Sequence, residues 1–564
     1  MGDKRVVIIA MDHPLDAEAH LRRKMTSAEK RAGRNAERFP DLDLGAMQRK
    51  VHQNLLKLQL SLDGHHMGLL DLLNFVKNGR RIPEYTPDNA PQYHLHADML
   101  TLNGVYLYQY LRGHGYEPEV VQNYASVHPE DVLAGKPLAV CISSTLTYLE
   151  DIKEIAEDIK AQDPAVPIIV GGILVKKILH AGEQIAPQTR RWISTFRGKV
   201  DAFVVEKCGE ETLVKVLDRI RDERDLTTVP NLALFDGEGR LLFTPRVEEY
   251  HHVDGTAIEW DRIPRPYLRK TLSVLTSRGC NYRCRFCNYR LWFPRVQYKS
   301  IEVLRAELRK IQGLGFVKHI RFADDNLTTN RKRLKRFLEM MLEEDFDFTW
   351  SAHARVNFLD PETVGQMKRA GCDLLVMGIE SGSRRILENM DKRITPGQAI
   401  EAVKSLEAEG IDSQSSFIVG YPGETRDSFK KTVDLIVQSG LRYWQAYLFY
   451  YATDMRVHED REAFGLKGLG RAWRHDTMDA VEASRLMSRM VPMIETGFTD
   501  GQQNPWETYK LLRGEGYSRD EIFRLHRLKR ELHLANQPAA AGGTGSGVVK
   551  ALLDQLEAVM RQSR

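Results

Sequence analysis

Short apolar runs alternating with amphipathic stretches recur twice along this chain, and such alternation commits it to parallel sheets with helices packed on their faces. In the first set, residues 5 to 10 (Arg-Val-Val-Ile-Ile-Ala) read as a buried strand. An Arg/Lys/Glu-rich stretch to about residue 60 follows and looks helical and exposed, like an insertion after a core strand. From about residue 100 the pattern becomes regular. A helix through Leu102 to Arg112 stops at Gly113 to Gly115, and strands are expected at Glu119 to Val121, Pro137 to Ser143, Val166 to Val170 and Ala202 to Val205. This is the pattern of a doubly wound, Rossmann-like domain over residues 1–250. A second alternation starts at Ser273, with strands near Ile320 to Phe322, Thr349 to Ala352, Leu374 to Gly378, Ser415 to Val419 and Trp444 to Phe449. Six such strands predict a partial (β/α)6 barrel over residues 265–455, with its reactive groups at the carboxyl ends of the strands.

The rest of the α/β chain is read as a helical C-terminal region at 456–534, an Ala/Gly/Ser-rich flexible linker at 535–547 and a terminal helix at 548–564. A length of 564 residues, with 42% apolar and 28% charged content, allows two or three globular domains. No run approaches the roughly 18 apolar residues of a membrane span, and the start MGDKRVVIIAMDHP has too short an apolar stretch and too early an Asp for a secretory signal. The expected location is the cytoplasm, without membrane attachment. The formal charge of +4 is the small difference between 81 basic and 77 acidic side chains, which gives no global field for nucleic acid. The densest basic run, Arg331 to Arg336, is interleaved with Leu334, Phe337, Leu338 and Met341 at helical spacing and reads as a solvated helix face.

Six cysteines are too few for a disulfide scaffold, and Cys141, Cys208 and Cys372 lie singly in apolar surroundings, as buried thiols do. The other three are clustered. Ser277-Arg-Gly-Cys-Asn-Tyr-Arg-Cys-Arg-Phe-Cys-Asn288 follows the strand Leu272 to Thr276 and spaces its thiols by four and then three positions. Three thiolates on a four-iron cube leave one iron open to a further ligand. A closed zinc site needs a fourth ligand, and no His or Cys follows Cys287 until His319. Three unrelated cysteines would leave a reactive thiol cluster exposed at a strand end.

Cys280-x-x-x-Cys284-x-Phe286-Cys287 resembles the cluster loop of the radical S-adenosylmethionine (SAM) superfamily. The resemblance implies a [4Fe-4S] cluster on Cys280, Cys284 and Cys287, with SAM chelating the open iron and being cleaved to a 5′-deoxyadenosyl radical. It places Phe286 beside the adenine. Downstream, Phe322-Ala-Asp324-Asp325-Asn326, Ser351-Ala-His353-Ala-Arg355, Gly378-Ile-Glu380-Ser381-Gly382 and Ile418-Val-Gly420-Tyr-Pro-Gly-Glu424 are similar to family segments at successive strand ends. They imply Asp324, His353, Arg355, Gly378, Glu380, Ser381, Gly382, Ile418 and Gly420 as SAM-site residues. Taken singly, the acids read equally as helix caps and the glycines as turns.

In the first domain, the turns Ser143-Ser144-Thr145-Leu146-Thr147 and Gly171-Gly172 resemble the Ser-x-Leu and Gly-Gly elements of cobalamin-binding domains, and Glu206-Lys-Cys-Gly209-Glu210 resembles a segment common in radical SAM proteins that carry this domain. No Gly-x-Gly-x-x-Gly follows the strand ending at Ala10, so the dinucleotide phosphate loop is missing. A Rossmann-like domain with nothing bound is the alternative. Asp63-Gly-His65-His-Met-Gly68 fits a pattern that places a histidine on cobalt, but it follows a helical stretch far upstream of Ser144, and a surface turn is favoured. His13, His94 and His96 carry no assignment.

Together the resemblances imply the cobalamin-dependent radical SAM class and a methyltransferase acting on an unactivated carbon or a phosphinate phosphorus. The general shape resembles the P-methyltransferase branch, without a diagnostic motif. The expected partners are a small-molecule substrate and an electron donor such as flavodoxin or ferredoxin. The alternatives are a cobalamin-dependent cyclase or rearrangement enzyme without methyl transfer, and a non-enzymatic cobalamin-binding sensor. Substrate, oligomeric state, reductant and lower cobalt ligand are not legible. The aromatic cluster Tyr443, Trp444, Tyr447, Tyr450 and Tyr451 reads equally as substrate wall or core.

Overall fold

The computed structural model describes residues 4–12, 17–94, 101–501, 504–536 and 545–562. Two compact units divide the chain, one of Met1–Leu15, Tyr85–Tyr93 and Ala97–Arg269, the other of Asp16–Glu84, His94–His96 and Lys270–Arg564.

In the first unit, β1 (Arg5–Ile9), β2 (Glu117–Val121), β3 (Ala139–Ser143), β4 (Ile168–Gly171) and β5 (Ala202–Val204) pair in parallel in the order β2-β1-β3-β4-β5. The runs Val6–Ile9 and Val140–Ile142 are apolar throughout because helices cover both faces. Val7, Ile9, Val140, Ile142, Ile168 and Val170 share a core with Ile152, Ile155 and Ile159 of the helix Leu149–Gln162. The order reverses between β1 and β3, and there the backbone N–H of Asp12 donates to Thr147 Oγ1 at 3.0 Å. Two further strands extend the sheet antiparallel, β6 (Leu232–Phe235) and β7 (Leu241–Phe243). Sequence reading for βα units passed over this hairpin, although Asp236-Gly-Glu-Gly239 is a turn sequence: Asp236 Oδ1 accepts from the N–H groups of Glu238 and Arg240.

In the second unit, β8 (Thr271–Val274), β9 (His319–Phe322), β10 (Thr349–Ala354), β11 (Cys372–Glu380), β12 (Asp412–Val419) and β13 (Tyr443–Leu448) lie parallel in sequential order, with a helix after each of the first five. Phe322 and Trp350 pack on Phe337 of the helix Arg331–Glu344, at ring separations of 5.2 and 5.7 Å. They therefore mark the helix-covered face, and alternation turns His319, Arg321, Ser351 and His353 to the interior. At the amino ends of the strands, buried Asp412 receives Arg519 at 2.5 Å and Arg442 at 3.2 Å, and Asp373 receives Arg513 at 2.6 Å, which ties the helices Pro505–Glu515 and Arg519–Ala535 beneath the sheet.

Residues 16–84 group with the second unit, including the stretch to about residue 60 that is expected as an insertion in the first domain. Its helix Leu69–Lys77 is apolar nearly all round and is buried with Leu525, Leu528, Leu532, Leu556 and Val559 of the last two helices. The helix Leu44–Leu56 is pinned to Ala480–Met487 by Asn54 Nδ2 donating to Ser484 Oγ at 3.0 Å. Asp63 and Gly64, both at positive φ, form the expected Asp-Gly turn, between the short strands Leu60–Leu62 and His65–Met67; His65 Nδ1 lies 2.9 Å from Glu18 Oε2.

The region 456–534 is not purely helical, since Lys467–Leu469, Ala472–His475 and Met478–Asp479 form a small antiparallel sheet. The terminal helix runs Gly545–Gln562, beginning inside the expected linker. Ala535 ends the preceding helix, and residues 537–544 of that linker lie outside the described residues, as do His13 and His96. Cys141, Cys208 and Cys372 are buried, as their surroundings predict. No helix among the described residues is long and apolar enough to cross a membrane.

Candidate functional site

β8 delivers the chain to the barrel mouth, where an anchored turn precedes the three cysteines. Asp324, two residues beyond the end of β9, is 1% exposed. Its carboxylate accepts from the N–H of Thr276 at 2.7 Å, from Thr276 Oγ1 at 2.6 Å and from Ser277 Oγ at 2.6 Å. Asp325 Oδ2 takes the N–H of Gly279 at 3.0 Å. Gly279 sits at φ +102, and a Cβ there would lie 2.9 Å from the carbonyl oxygen of Arg295, so this turn requires glycine. Ser277 and Arg278 pair with Tyr298 and Gln297 as a two-residue ribbon that closes one side of the loop.

Cys280 is half-buried, Cys284 is 7% exposed and Cys287 is exposed, and all three are free thiols. Cys280 and Cys284 lie close enough to act electrostatically on Cys287. Arg355 Nη1 lies 3.6 Å from Cys284 Sγ, its guanidinium carbon is 3.6 Å from the centre of the Tyr282 ring, and its Nη2 donates to the carbonyl of Lys392. Lys392 Nζ is 2.8 Å from Glu380 Oε1 and 5.5 Å from the centre of the Phe286 ring. Cys284, Phe286, Arg355 and Glu380, expected together from their order along the chain, thus meet around two cations. One of these, Lys392, was missed: it lies in a loop between helices, and no spacing rule points from there to a strand end.

Glu380 adopts φ +72 after a register shift in β11, an unfavourable conformation for a non-glycine residue. A Cβ on Gly378 would meet Glu380 Oε1 at 2.4 Å and Lys392 Nζ at 2.8 Å, so this glycine makes room for the ion pair. Ser381 and Gly382 are directed elsewhere. The Gly382 N–H donates to Thr432 Oγ1 at 3.0 Å, Ser381 Oγ lies 3.4 Å from the same hydroxyl, and a Cβ on Gly382 would sit 2.1 Å from the carbonyl oxygen of Lys431. Gly382→Ala is therefore expected to push the helix Arg426–Ser439 away at a cost of about 1–3 kcal/mol. Gly313→Ala, with open space at that position, should change stability little; chemical denaturation of both variants is the check.

Ile418 is half-buried on the interior side of β12. Gly420, at φ +86, leaves no room for a Cβ because Trp473 would be 2.4 Å away, and its carbonyl meets His475 Nε2 at 3.2 Å. Trp473 and His475, stacked at 5.2 Å, come from the small C-terminal sheet, which carries no motif. The Gly420 N–H donates to Glu424 Oε2 at 2.5 Å, and burial pushes the Glu424 carboxyl up to about 8. A carboxyl raised in this way binds its proton more tightly in the folded chain than in the unfolded one, so its contribution is complete at acid pH and is lost as pH rises from 4.5 through about 8. Glu424→Gln should gain stability over wild type across that window, by an amount on the order of 4 kcal/mol at its upper end. Denaturant midpoints measured at a series of pH values test this, and parallel curves for the two proteins would refute it.

His353 makes an edge contact with Trp506 at 4.4 Å, and burial with nearby Arg321 lowers it to about 4. A segment beyond β13 grips the cysteine loop from outside. The N–H of Val457 donates to the carbonyl of Arg285 at 3.0 Å, Asn288 Nδ2 donates to Asp454 Oδ2 at 2.9 Å, and the Arg285 guanidinium pairs with Asp460.

In the first unit, the Ser144 N–H donates to the carbonyl of Gly171 at 2.7 Å, and Ser144 Oγ accepts from Val175 at 3.2 Å, capping the helix Ile173–Leu179. Gly172 is at φ +103, and a Cβ there would be 3.0 Å from Ser144 Oγ. The two turns are thus packed on each other. Ser143 Oγ accepts from Asn103 Nδ2 at 2.8 Å and from the N–H of Thr145 at 3.3 Å, while Thr145 and Leu146 face solvent, Leu146 at 54% exposure. Glu206 is buried beside Lys176 Nζ at 3.1 Å, and Gly209 precedes the helix Glu210–Arg221 at a point where a Cβ would lie 2.5 Å from Val204. Glu210 lies 3.7 Å from His251 Nε2, beside Glu249.

Residues 274–436 match the model of the radical SAM superfamily. The chain is 33% identical over 252 residues to an uncharacterized methyltransferase of Pyrococcus horikoshii, a match covering 44% of this chain and 54% of that protein. It is 24% identical over 360 residues to the anaerobic magnesium-protoporphyrin IX monomethyl ester cyclase of Rubrivivax gelatinosus, covering 58% of this chain and 60% of that one. The chain thus spans a little over half the length of these relatives. Among solved structures, the radical SAM methyltransferase TsrM from Kitasatospora setae, with tryptophan and a SAM analogue bound, shares the fold at a TM-score of 0.58 and 16% identity, over 79% of this chain and 98% of that one.

Proposed function

We propose that this chain, which carries a radical SAM domain at residues 274–436, is a cobalamin-dependent radical SAM methyltransferase of a small molecule. The observation that carries the reading is the barrel mouth: a loop of three free thiols, anchored by Asp324, with the cations of Arg355 and Lys392 beside it. Three thiolates suit a four-iron cluster with one open corner, and the two cations offset the negative charge of such a donor set. When bound, the cluster supplies the electron that cleaves SAM, and cobalamin carries the methyl group. Cys280, Cys284 and Cys287 hold the cluster in this reading. Arg355 orients Cys284, Phe286 offers a ring to the adenine, and the Glu380 carboxylate, held by Lys392, accepts hydrogen bonds from SAM. The relative named as a methyltransferase supports the methyl-transfer assignment.

The first unit is the proposed cobalamin domain. Its strand order places a ligand crevice at the carboxyl ends of β1 and β3, and the solvent-facing Thr145 and Leu146, with the close pair Ser144 and Gly172, leave that edge open to a flat ligand. A flavodoxin- or ferredoxin-type donor in the cytoplasm is the matching reductant.

The test is anaerobic reconstitution with iron, sulfide and hydroxocobalamin, followed by reduction with SAM and mass spectrometry for 5′-deoxyadenosine and S-adenosylhomocysteine. Both products support the methyltransferase. Deoxyadenosine alone points to a cyclase, the activity named for one relative, and neither product in a cluster-loaded protein sinks the reading.

A further inference from the structure

The interior face of the barrel sheet is open to solvent. Ser416 and Ile418 are half-buried and Tyr447 is 41% exposed, whereas Phe417 and Val419, which point outward, are 0 and 1% exposed. The helix Pro505–Glu515 packs against β8, β9 and β13 beneath this space. Its Trp506 donates from Nε1 to Ser351 Oγ at 2.9 Å and lies against His353, which fixes the indole as part of the floor. Two cations flank that one ring: the guanidinium carbon of Arg321 is 4.6 Å from its centre and Lys510 Nζ is 4.8 Å from it.

Lys510 is 1% exposed and pairs with Glu507 at 2.5 Å. Arg321 Nε is shielded from water without a hydrogen-bond partner among the described residues, although the side chain as a whole reaches solvent. Glu507 offsets Lys510, while no carboxylate pairs with Arg321 among the described residues, so the floor keeps a positive charge that packing alone does not call for. Burial, and then Arg321, push Lys510 down to about 7, with Glu507 opposing. His319 and His353, both lowered by burial, are the other titratable groups facing it. Tyr447, beside Ile418 in the register of β12 and β13, borders the same space.

We propose that Arg321 and Lys510 form a receptor for an anionic group of the substrate, a carboxylate or an oxyanion of phosphorus, held below the barrel mouth with the reacting end of the molecule directed past Tyr447 toward Glu380. This names a substrate class for the reading above and rests on it. An Arg fork matches a two-oxygen anion in its plane, and a neighbouring ammonium adds a compact charge. Glu507 offsets one positive charge when the site is free, and the incoming anion offsets a second, which above the Lys510 value is taken up as a proton on binding.

Calorimetric titration of the reconstituted, cobalamin-loaded enzyme with benzoate and phenylphosphonate, and with neutral benzamide as control, tests the receptor. At a pH just above the Lys510 value, the anions should bind at least about tenfold more tightly than benzamide and take up a proton, seen as a dependence of the heat on buffer ionisation. Arg321→Gln should weaken anion binding about tenfold while Arg321→Lys keeps part of it, and Lys510→Met should remove the proton uptake; cluster absorbance and circular dichroism confirm that each variant is folded. Equal binding of benzoate and benzamide, or binding indifferent to these substitutions, overturns the proposal. So does competition by SAM alone, which would assign the floor to the cofactor's own carboxylate. Deoxyadenosine formation is measured on the same wild-type preparation: its presence without anion binding retires the receptor only, and its absence retires the radical SAM reading while the titration still reads the floor.

Discussion

Cys284→Ala should abolish SAM cleavage, with deoxyadenosine falling about a thousandfold or more, while the fold persists. Of the three clustered thiols this one is buried, at 7% exposure, and it is the thiol that Arg355 addresses, at 3.6 Å. Two remaining thiolates cannot hold a four-iron cluster with one open corner, so the loss follows from ligand count rather than from packing. A thousandfold loss corresponds to about 4 kcal/mol of barrier, far above the effect of deleting one weak sulfur hydrogen bond. Iron content, visible absorbance and electron paramagnetic resonance after reconstitution, with circular dichroism as the control for folding, provide the measurement. A folded variant that keeps full iron and cleaves SAM would falsify the assignment of the cluster to this loop.

The second large effect belongs to a residue that carries none of the chemistry. Asp324→Asn should cost on the order of 3 kcal/mol and loosen the cluster loop, because the carboxylate accepts three hydrogen bonds in a site closed to water. An amide keeps one acceptor oxygen and turns an NH2 group toward hydroxyls whose protons already point inward. Those hydroxyls must rotate, and one donor is left unsatisfied. The expected outcome is a lower denaturation midpoint together with weaker cluster retention. Asp325→Asn, next to it, removes charge from an acceptor of one backbone N–H and the Tyr289 hydroxyl and should act less strongly. Equal midpoints for wild type and Asp324→Asn would show that the turn at Thr276 and Ser277 is held by other contacts.

Much of this was legible in advance where the signal is local. A short, β-branched apolar run between helices reads as a covered strand, so Val6 to Ile9 and the six barrel strands could be read one by one. The cysteine loop was legible for the same reason, since three ligands to one group must lie within a short span. Gly378 and Gly420 were legible as special positions, but the groups that need the space were not. At Gly378 it is the Glu380–Lys392 pair, and at Gly420 it is Trp473.

Non-local contacts set the remainder. The helix Leu69–Lys77 announces burial by its composition, yet nothing in LLDLLNFVK says that its partners lie more than 440 positions away in the last two helices. Lys392, the 454–460 segment and Lys510, which meets Arg321 of β9 across the Trp506 ring, reach the barrel from loops and helices whose own periodicity only describes solvated or buried faces. The sequence by itself determined the parallel strands of the two sheets and the thiol loop, because backbone hydrogen bonding and ligand spacing act over a few residues. Only the tertiary structure decided which charges surround that loop, which helix floors the barrel and to which unit residues 16–84 belong, because those outcomes depend on which buried surfaces fit one another across hundreds of residues.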